Sequence, residues 1–208
     1  MTEGLTAAAV LLVAGPVAGA IGLTHPALYS VWSAPREKHL ALVRAHRRAW
    51  VAINSGLTVA TVVTAAGLAV LAGAVDVAAG PRAVLTAVAV VYAIAGALWC
   101  AVLAVRTRTT PALAELVAAG APTEPAENLL GATLGGLFGA FILATSAALV
   151  ALGLTLAGSG VIAAPLAWLA TLIPALVLLS YLRSGDAIPG VLYLPTLLVG
   201  LALLLGWS

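Results

Sequence analysis

Very few side chains in this 208-residue sequence are suited to chemistry. Three histidines and one cysteine are the side chains best able to bind a transition metal or haem. His39 and His46 are seven positions apart in the sequence, whereas two histidines that hold one metal on a helix are three or four apart. We therefore take His25 and His46 as the candidate metal ligands, and Cys100 as a further candidate contact.

His25 is open to two interpretations, because Pro26 follows it within an apolar stretch. A proline inside a helix leaves a carbonyl one turn earlier without its usual donor, and an imidazole N–H could satisfy a polar group at such a kink. Alternatively, His25 is a ligand, a proton carrier or a substrate contact, since ionisable groups are uncommon in hydrocarbon. The sequence leaves both interpretations open.

Composition indicates that these residues belong to an integral membrane protein. With 63% hydrophobic and 8% charged residues, the chain has too little polar surface for a soluble globule. Crossing a hydrocarbon core about 30 Å thick takes about 20 apolar residues. We predict an all-α bundle forming one membrane domain over 1–208, with six transmembrane helices near 5–31, 50–75, 83–105, 128–157, 161–182 and 190–207. A short surface helix is also predicted from Thr110-Pro111 to Gly120.

Lysine and arginine are distributed unevenly among the predicted connections. Eight of the nine fall in the first, third and fifth connections, and only Arg82 lies elsewhere. Because basic loops stay in the cytoplasm, we predict an inner cell-membrane protein with cytoplasmic basic loops and both termini outside. The net charge of +2 is small, so no nucleic-acid partner is indicated.

The first connection, 33–54, holds five of the nine basic residues. It is typical of an amphipathic helix that lies against anionic headgroups before the second transmembrane helix. The helix either continues unbroken into that span or bends near Trp50. A stripe of residues at spacings of three or four lies along one face of this segment, namely His39, Val43, His46, Trp50 and Asn54. The candidate lipid-headgroup residues are Arg36, Arg44, Arg47 and Arg48.

A set of polar and aromatic residues is expected at similar depth in the cytoplasmic half of the bundle, counting about 1.5 Å per residue from the nearest charged loop. The bland alternatives are a hydrogen bond between helices for Asn54 and a small buried residue for Cys100. The candidate ligand-binding residues are His25, Trp50, Asn54, Trp99 and Cys100.

Glycines at intervals of four suggest close helix contacts. Gly131, Gly135 and Gly139 form two overlapping GxxxG patterns, which let helix backbones approach closely in lipid. The contact is either within the chain or with a second copy, so a homo-oligomer through this face is a candidate arrangement.

No motif in the sequence names a reaction or a cofactor. There is no HExxH, no phosphate-binding glycine loop with lysine and no intramembrane lysine. The predicted spans also lack acidic and basic side chains, which argues against ion-coupled transport. The favoured hypothesis is a protein that binds a small apolar molecule, lipid or cofactor, haem or metal included, near His25 in the cytoplasmic half. The alternatives are a transporter or channel for a neutral or lipid-like solute, and a membrane assembly or scaffold subunit.

Overall fold

The computed structural model describes residues 2–32 and 34–207, and in these residues it contains helices and no strands. The predicted all-α fold is therefore confirmed. The α-helices are α1 (Glu3–Leu23), α2 (Arg36–Ala45), α3 (Arg47–Ala74), α4 (Ala79–Ala118), α5 (Glu124–Ser159), α6 (Ala164–Ser184) and α7 (Leu194–Leu205). Two 3-10 helices, Pro26–Trp32 and Pro189–Tyr193, precede α2 and α7.

Six helices form a ring, in which α1, α3, α4, α5, α6 and α7 each pack on the next and α7 packs back on α1. Short connections make the successive helices from α3 to α6 antiparallel. At one end, the termini end, Ala163 N–H donates to the Trp207 carbonyl at 2.7 Å, and Gly4 lies beside Ala74. The opposite end holds α2 and the α4–α5 and α6–α7 connections, and we call it the basic end because eight of the nine Lys and Arg lie there.

Five helices, α1, α3, α4, α5 and α6, are long and apolar enough to cross a bilayer. The sixth apolar segment, Pro189–Leu205, is shorter, because its first turn is a 3-10 helix and α7 itself has only 12 residues. The chain thus has the helices of an integral membrane protein, while the count of six spans stays a prediction.

Two helices are much longer than a bilayer requires. α4 has 40 residues and α5 has 36, which corresponds to about 60 and 54 Å at about 1.5 Å per residue. Their excess length projects at the basic end as a helical hairpin, and α2 packs against its α4 arm.

The predicted separate surface helix beginning at Thr110-Pro111 is wrong, since α4 continues through Pro111 to Ala118. A proline inside a helix removes one hydrogen bond and disfavours the preceding turn. Here Pro111 and Ala114 are buried, on the stretch of α4 that projects at the basic end. We attribute the continuity of α4 to the apolar surface that this packing removes from water.

The connection between α2 and α3 breaks at His46, where φ is −123° and ψ is 40°. The sequence allowed a bend near Trp50, and the break comes one helical turn before that residue. It divides the predicted stripe between α2 and α3. Val43 and Trp50 are fully buried, whereas His46 is exposed. α2 therefore lies across the basic end instead of extending α3.

Glycines allow close approaches between neighbouring helices, among them α1 with α3 and α5 with α6. A Cβ on Gly15 of α1 would lie 2.9 Å from the Ala60 carbonyl and would also meet Thr64 of α3. Gly153 of α5 meets Thr171 and the Ala167 carbonyl of α6 in the same way, the latter at 2.9 Å. Close packing of small residues is what holds helices together in lipid, so these contacts stabilise the two sides of the ring.

We predict that Gly15→Ala destabilises the protein by about 1–3 kcal/mol, because the added methyl group meets backbone atoms that cannot move aside without shifting a helix. The melting temperature in detergent measures the effect. The matched control is Gly56→Ala in α3, where a Cβ has no atom within 4 Å, and which should leave the melting temperature unchanged or slightly raised. Equal melting temperatures for the two variants would show that this close approach does not stabilise the ring.

Candidate ligand-binding cavity

A cavity of about 730 Å³ lies at the basic end of the ring. Helices α1, α3, α4 and α5 form its walls, and the connection from α6 to the second 3-10 helix completes it. Most of the lining is aliphatic or aromatic, namely Leu23, Leu57, Val102, Leu103, Leu134, Phe138, Ala187, Ile188 and Pro189. The cavity reaches the surface of the protein, because the Ile188 side chain is 72% exposed.

Four polar side chains also line this cavity. Arg106 and Asp186 carry opposite charges. Asp186 is exposed and Arg106 is partly buried, whereas the other two polar residues, Trp99 and Tyr193, are buried. The charged groups thus lie nearer to solvent than the neutral ones.

Trp99 is the one predicted site residue that lines the cavity. Its indole stacks on Phe141 with ring centroids 5.1 Å apart and an angle of 13°, and Phe138 packs against it as well. The residue is 2% exposed, and among the residues that the structure describes its Nε1–H has no acceptor with good hydrogen-bond geometry. It lies near Tyr193 Oη without hydrogen-bond geometry, while that hydroxyl and Thr61 Oγ1 are 2.6 Å apart. An unsatisfied buried donor is costly, so this N–H is a candidate contact for a ligand oxygen.

Trp50 and Asn54 do not line the cavity, but Trp50 contacts Arg106, which does. Trp50 Nε1 donates to the Arg106 carbonyl at 3.2 Å, and the Arg106 guanidinium lies over the indole at 5.4 Å from the ring centre. Asn54 Nδ2 donates to the Trp50 carbonyl at 2.8 Å, and its Oδ1 is buried without a donor. Trp50 therefore restrains a residue of the cavity wall.

The predicted metal ligands lie in different parts of the fold. His25 lies after the end of α1, and its Nδ1 accepts the Ala27 N–H at 3.3 Å. Pro26 consequently opens a new 3-10 helix and kinks no continuous helix, which corrects the structural interpretation of His25. His46 is exposed and Cys100 is half-buried. Within the described ranges, no group of three or more His, Cys, Asp or Glu is placed to hold a metal, so a metal or haem at His25 and His46 remains a prediction.

His39 is partly buried, although the sequence places it on a surface helix. Its Nδ1 lies 3.1 Å from the Val31 carbonyl, and its ring meets Trp50 edge-on with centroids 5.6 Å apart. Burial lowers the pKa of His39, and nearby Arg106 lowers it further, while the Val31 carbonyl opposes this. The lowered pKa favours neutral imidazole at pH 7. The sequence signal for this contact is the spacing of His39, which places it on the same helix face as Val43 and Trp50.

The four arginines predicted to bind lipid headgroups are not equivalent. Arg36 forms a bidentate ion pair with Glu127 and donates to Thr123 Oγ1 at 3.2 Å, and Arg44 Nε lies 3.1 Å from a Glu115 oxygen. These pairs attach α2 to the projecting hairpin. Among the described residues, Arg47 and Arg48 are exposed and make no ion pair, so they are the better placed to meet lipid phosphates.

The three glycines of the predicted face have different surroundings. Gly139 packs against Tyr181 of α6 within the chain. A Cβ on Gly131 or Gly135 would have no atom within 4 Å, and Gly135 lines the cavity. The part of this face available to a second copy is therefore Gly131 with Gly135, and a homo-oligomer through it stays a prediction.

Comparison of the chain with protein-family models, curated protein sequences and solved structures found no match. The function is therefore argued from the cavity and the residues that line it.

We predict that the attachment of α2 weakens in acid through Glu127. The hydrogen bond from Arg36, and then that from Thr123, lower the pKa of Glu127 to about 2, compared with about 4.3 in an unfolded chain. A lowered folded-state pKa gives stability that is present above the unfolded value and is lost as the pH falls from about 5 towards 2. The effect is modest, because the Arg36 side chain is 52% exposed and solvent screens the pair.

The measurement is the melting temperature of wild type and Glu127→Gln in detergent between pH 7 and pH 3. Glu127→Gln should melt lower at pH 7, and its difference from wild type should shrink as the pH falls from 5 to 3. Glu124→Gln, at an exposed position in the same turn, serves as the control and should follow wild type throughout. Parallel melting curves for wild type and Glu127→Gln would contradict this role of the ion pair.

Proposed function

We propose that this integral membrane protein binds a small amphipathic, lipid-like molecule in the cavity at the basic end. The observation that carries the proposal is an apolar cavity of about 730 Å³ with a few polar groups along it. Small-molecule sites in proteins occupy about 300–1,000 Å³ and combine apolar walls with a few placed polar groups. The cavity therefore has the volume and the lining of a binding site.

The distribution of polarity along the cavity supports an amphipathic ligand over a wholly apolar one. Charged side chains lie towards solvent, and leucines and Phe138 form the body. Placing an apolar chain in the body removes apolar surface from water or detergent, and a polar head remains near Arg106 and Asp186. The exposed Ile188 at the wall provides a route of entry.

Binding is favoured over transport because the other half of the ring is filled. Leu12, Leu149, Leu152 and Leu156 are fully buried towards the termini end, and tightly packed leucines leave no space for a solute. A transporter for a neutral or lipid-like solute would require a second arrangement of these helices. The cavity as observed serves a molecule that enters and leaves at the basic end.

We further propose that the basic end faces the cytoplasm of an inner cell membrane. Eight of the nine Lys and Arg support this orientation through the positive-inside rule. The exposed pair Arg47 and Arg48 would then lie beside the anionic lipids of the inner leaflet, where each contributes about 1 kcal/mol to surface attraction.

We predict that reporter domains fused after Ala45 and Ala118 report a cytoplasmic location, and that a reporter after Ser208 reports the outside. The physical reason is the uneven distribution of basic residues. Compartment-specific reporter activity in intact cells is the measurement. A cytoplasmic signal from the Ser208 fusion would contradict either the orientation or the even number of spans.

We predict that Gly135→Leu reduces the binding of a single-chain lipid severalfold, whereas Gly131→Leu does not. Both glycines lie in α5 with no atom within 4 Å of a Cβ, but only Gly135 lines the cavity. Leucine favours helix more than glycine does, so neither variant should lose stability. Native mass spectrometry of purified protein with a monoacyl lipid measures the bound fraction.

The same pair of variants tests the other use of this glycine face. Equal lipid binding by wild type and Gly135→Leu would show that the cavity is not the binding site. A native mass that falls from dimer to monomer in both variants would assign Gly131 and Gly135 to an interface between copies.

A further inference from the structure

The buried part of the cavity wall has a hydrogen-bond donor that the protein leaves unused. Trp99 lines the cavity and is 2% exposed, and among the residues that the structure describes its Nε1–H has no acceptor with good geometry. A buried donor without a partner destabilises the folded chain. A ligand that supplies an acceptor at this point therefore gains more than a ligand made of hydrocarbon alone.

The N–H end of the Trp99 indole lies at the cavity. One face of the ring is covered by Phe141, with ring centroids 5.1 Å apart. Nε1 lies near Tyr193 Oη without hydrogen-bond geometry, and Tyr193 is itself a residue of the cavity wall. A ligand atom beside the Tyr193 hydroxyl can therefore reach the Trp99 N–H.

The hydroxyl hydrogen of Tyr193 is already used within the protein. Thr61 Oγ1 donates to the Leu57 carbonyl at 2.8 Å, and the same oxygen lies 2.6 Å from Tyr193 Oη. Because a hydroxyl has one hydrogen, Tyr193 is the donor in the second contact. Of Trp99 and Tyr193, the two buried polar residues of the wall, only Trp99 thus offers a hydrogen to a ligand.

We infer that the ligand is an uncharged acyl ester of the monoacylglycerol kind, whose ester carbonyl accepts the hydrogen bond from Trp99 Nε1–H. The inference rests on the proposed function and deepens it by naming the chemical group that joins the head of the ligand to its chain.

An ester carbonyl fits this position better than other oxygen groups do. It accepts hydrogen bonds and has no hydrogen of its own, so the single donor of Trp99 satisfies it. A carboxylate would bring a charge beside Phe138 and Phe141, which pack on Trp99, and desolvating a charge among apolar groups is costly. A hydroxyl would bring a second donor, which needs another partner at the same place.

The rest of the cavity suits the two sides of such an ester. Leu57, Leu103 and Phe138 provide apolar wall for the acyl chain. Asp186 is the exposed polar residue of the wall, and its Oδ1 accepts the Ala187 N–H at 2.8 Å. A carboxylate accepts at both oxygens, so Asp186 retains capacity for the hydroxyl groups of a glycerol head.

The test uses two lipids that differ only at the carbonyl, a monoacylglycerol and an alkylglycerol ether of equal chain length. Each is added at equal concentration to purified full-length protein in detergent, and native mass spectrometry measures the bound fractions. We expect the ester to bind about fivefold more tightly, which corresponds to about 1 kcal/mol. The physical reason is that the ether has no carbonyl to accept from Trp99.

A single substitution assigns the contact. Trp99→Phe keeps an aromatic ring against Phe141 and removes the N–H, so it should bind the ester and the ether equally. The matched control is Trp168→Phe, because Trp168 is 51% exposed on α6 and does not line the cavity. This control should keep the fivefold preference.

Infrared spectroscopy of a monoacylglycerol with a ¹³C-labelled carbonyl observes the hydrogen bond directly. In complex with wild type or Trp168→Phe, the labelled band should move to lower frequency than in detergent alone, because hydrogen bonding weakens the C=O bond. In Trp99→Phe it should not move. The wild-type band depends on no variant, so an unshifted band there would overturn the hydrogen bond even if Trp99→Phe did not fold.

The outcomes separate this inference from the proposed function. Equal binding of the ester and the ether to wild type would overturn the carbonyl contact and leave lipid binding in place. A preference that persists in Trp99→Phe would show that another group meets the carbonyl, and would overturn the assignment to Trp99. Binding of neither lipid would overturn both proposals. Retained ether binding by Trp99→Phe shows that this variant is folded.

Discussion

Unequal helix length is the constraint on which the rest of this structure depends. α4 and α5 are longer than a bilayer requires, while the segment Pro189–Leu205 is the shortest member of the ring. Prolines at 189 and 195 and the 3-10 turn between them explain the short segment. Where the short member ends, the remaining helices cannot close on one another. The cavity lies at this place, and the connection 186–190 forms part of its wall.

The projecting hairpin made by α4 and α5 gives α2 a surface to pack on. Buried Val43 and the Arg36–Glu127 and Arg44–Glu115 pairs attach α2 there. From that position His39 meets Trp50, and Trp50 in turn meets Arg106. A helix outside the ring therefore restrains a charged residue of the cavity wall. Surface ion pairs alone contribute little, so the buried aromatic contacts carry most of this arrangement.

Polar groups within the bundle are mostly satisfied inside their own helices. Thr58, Thr61 and Thr64 each donate to the carbonyl four residues earlier, which is the usual solution in an apolar medium. Thr145, Ser146 and Trp99 Nε1 lack such a partner. Trp99 differs from the two hydroxyl residues because it also lines the cavity, where the proposed ligand would accept its hydrogen bond.

The all-α fold, the presence of several long apolar helices and the concentration of basic residues at one end follow from the sequence alone, whereas the sequence predicted six spans and five helices are long enough. These features depend on local properties, namely the length of apolar runs and the chain positions of Lys and Arg. The depth of a residue along a helix also depends only on its chain position, because each helical residue advances by about 1.5 Å. The position of Trp99 in the chain therefore predicts its depth, and Trp99 lines the cavity.

The sequence does not determine which neighbour a side chain faces around its helix. That depends on how the helices pack, so only the tertiary structure decides it. Asn54 and Trp99 have comparable depth, yet Trp99 lines the cavity and Asn54 does not. Asp186 carried no sequence signal, since it becomes part of the site only when the α6–α7 connection meets α4 and α5. Pro111 within a continuous helix and the break at His46 have the same origin. Packing between distant segments outweighs a local preference whenever it buries enough apolar surface.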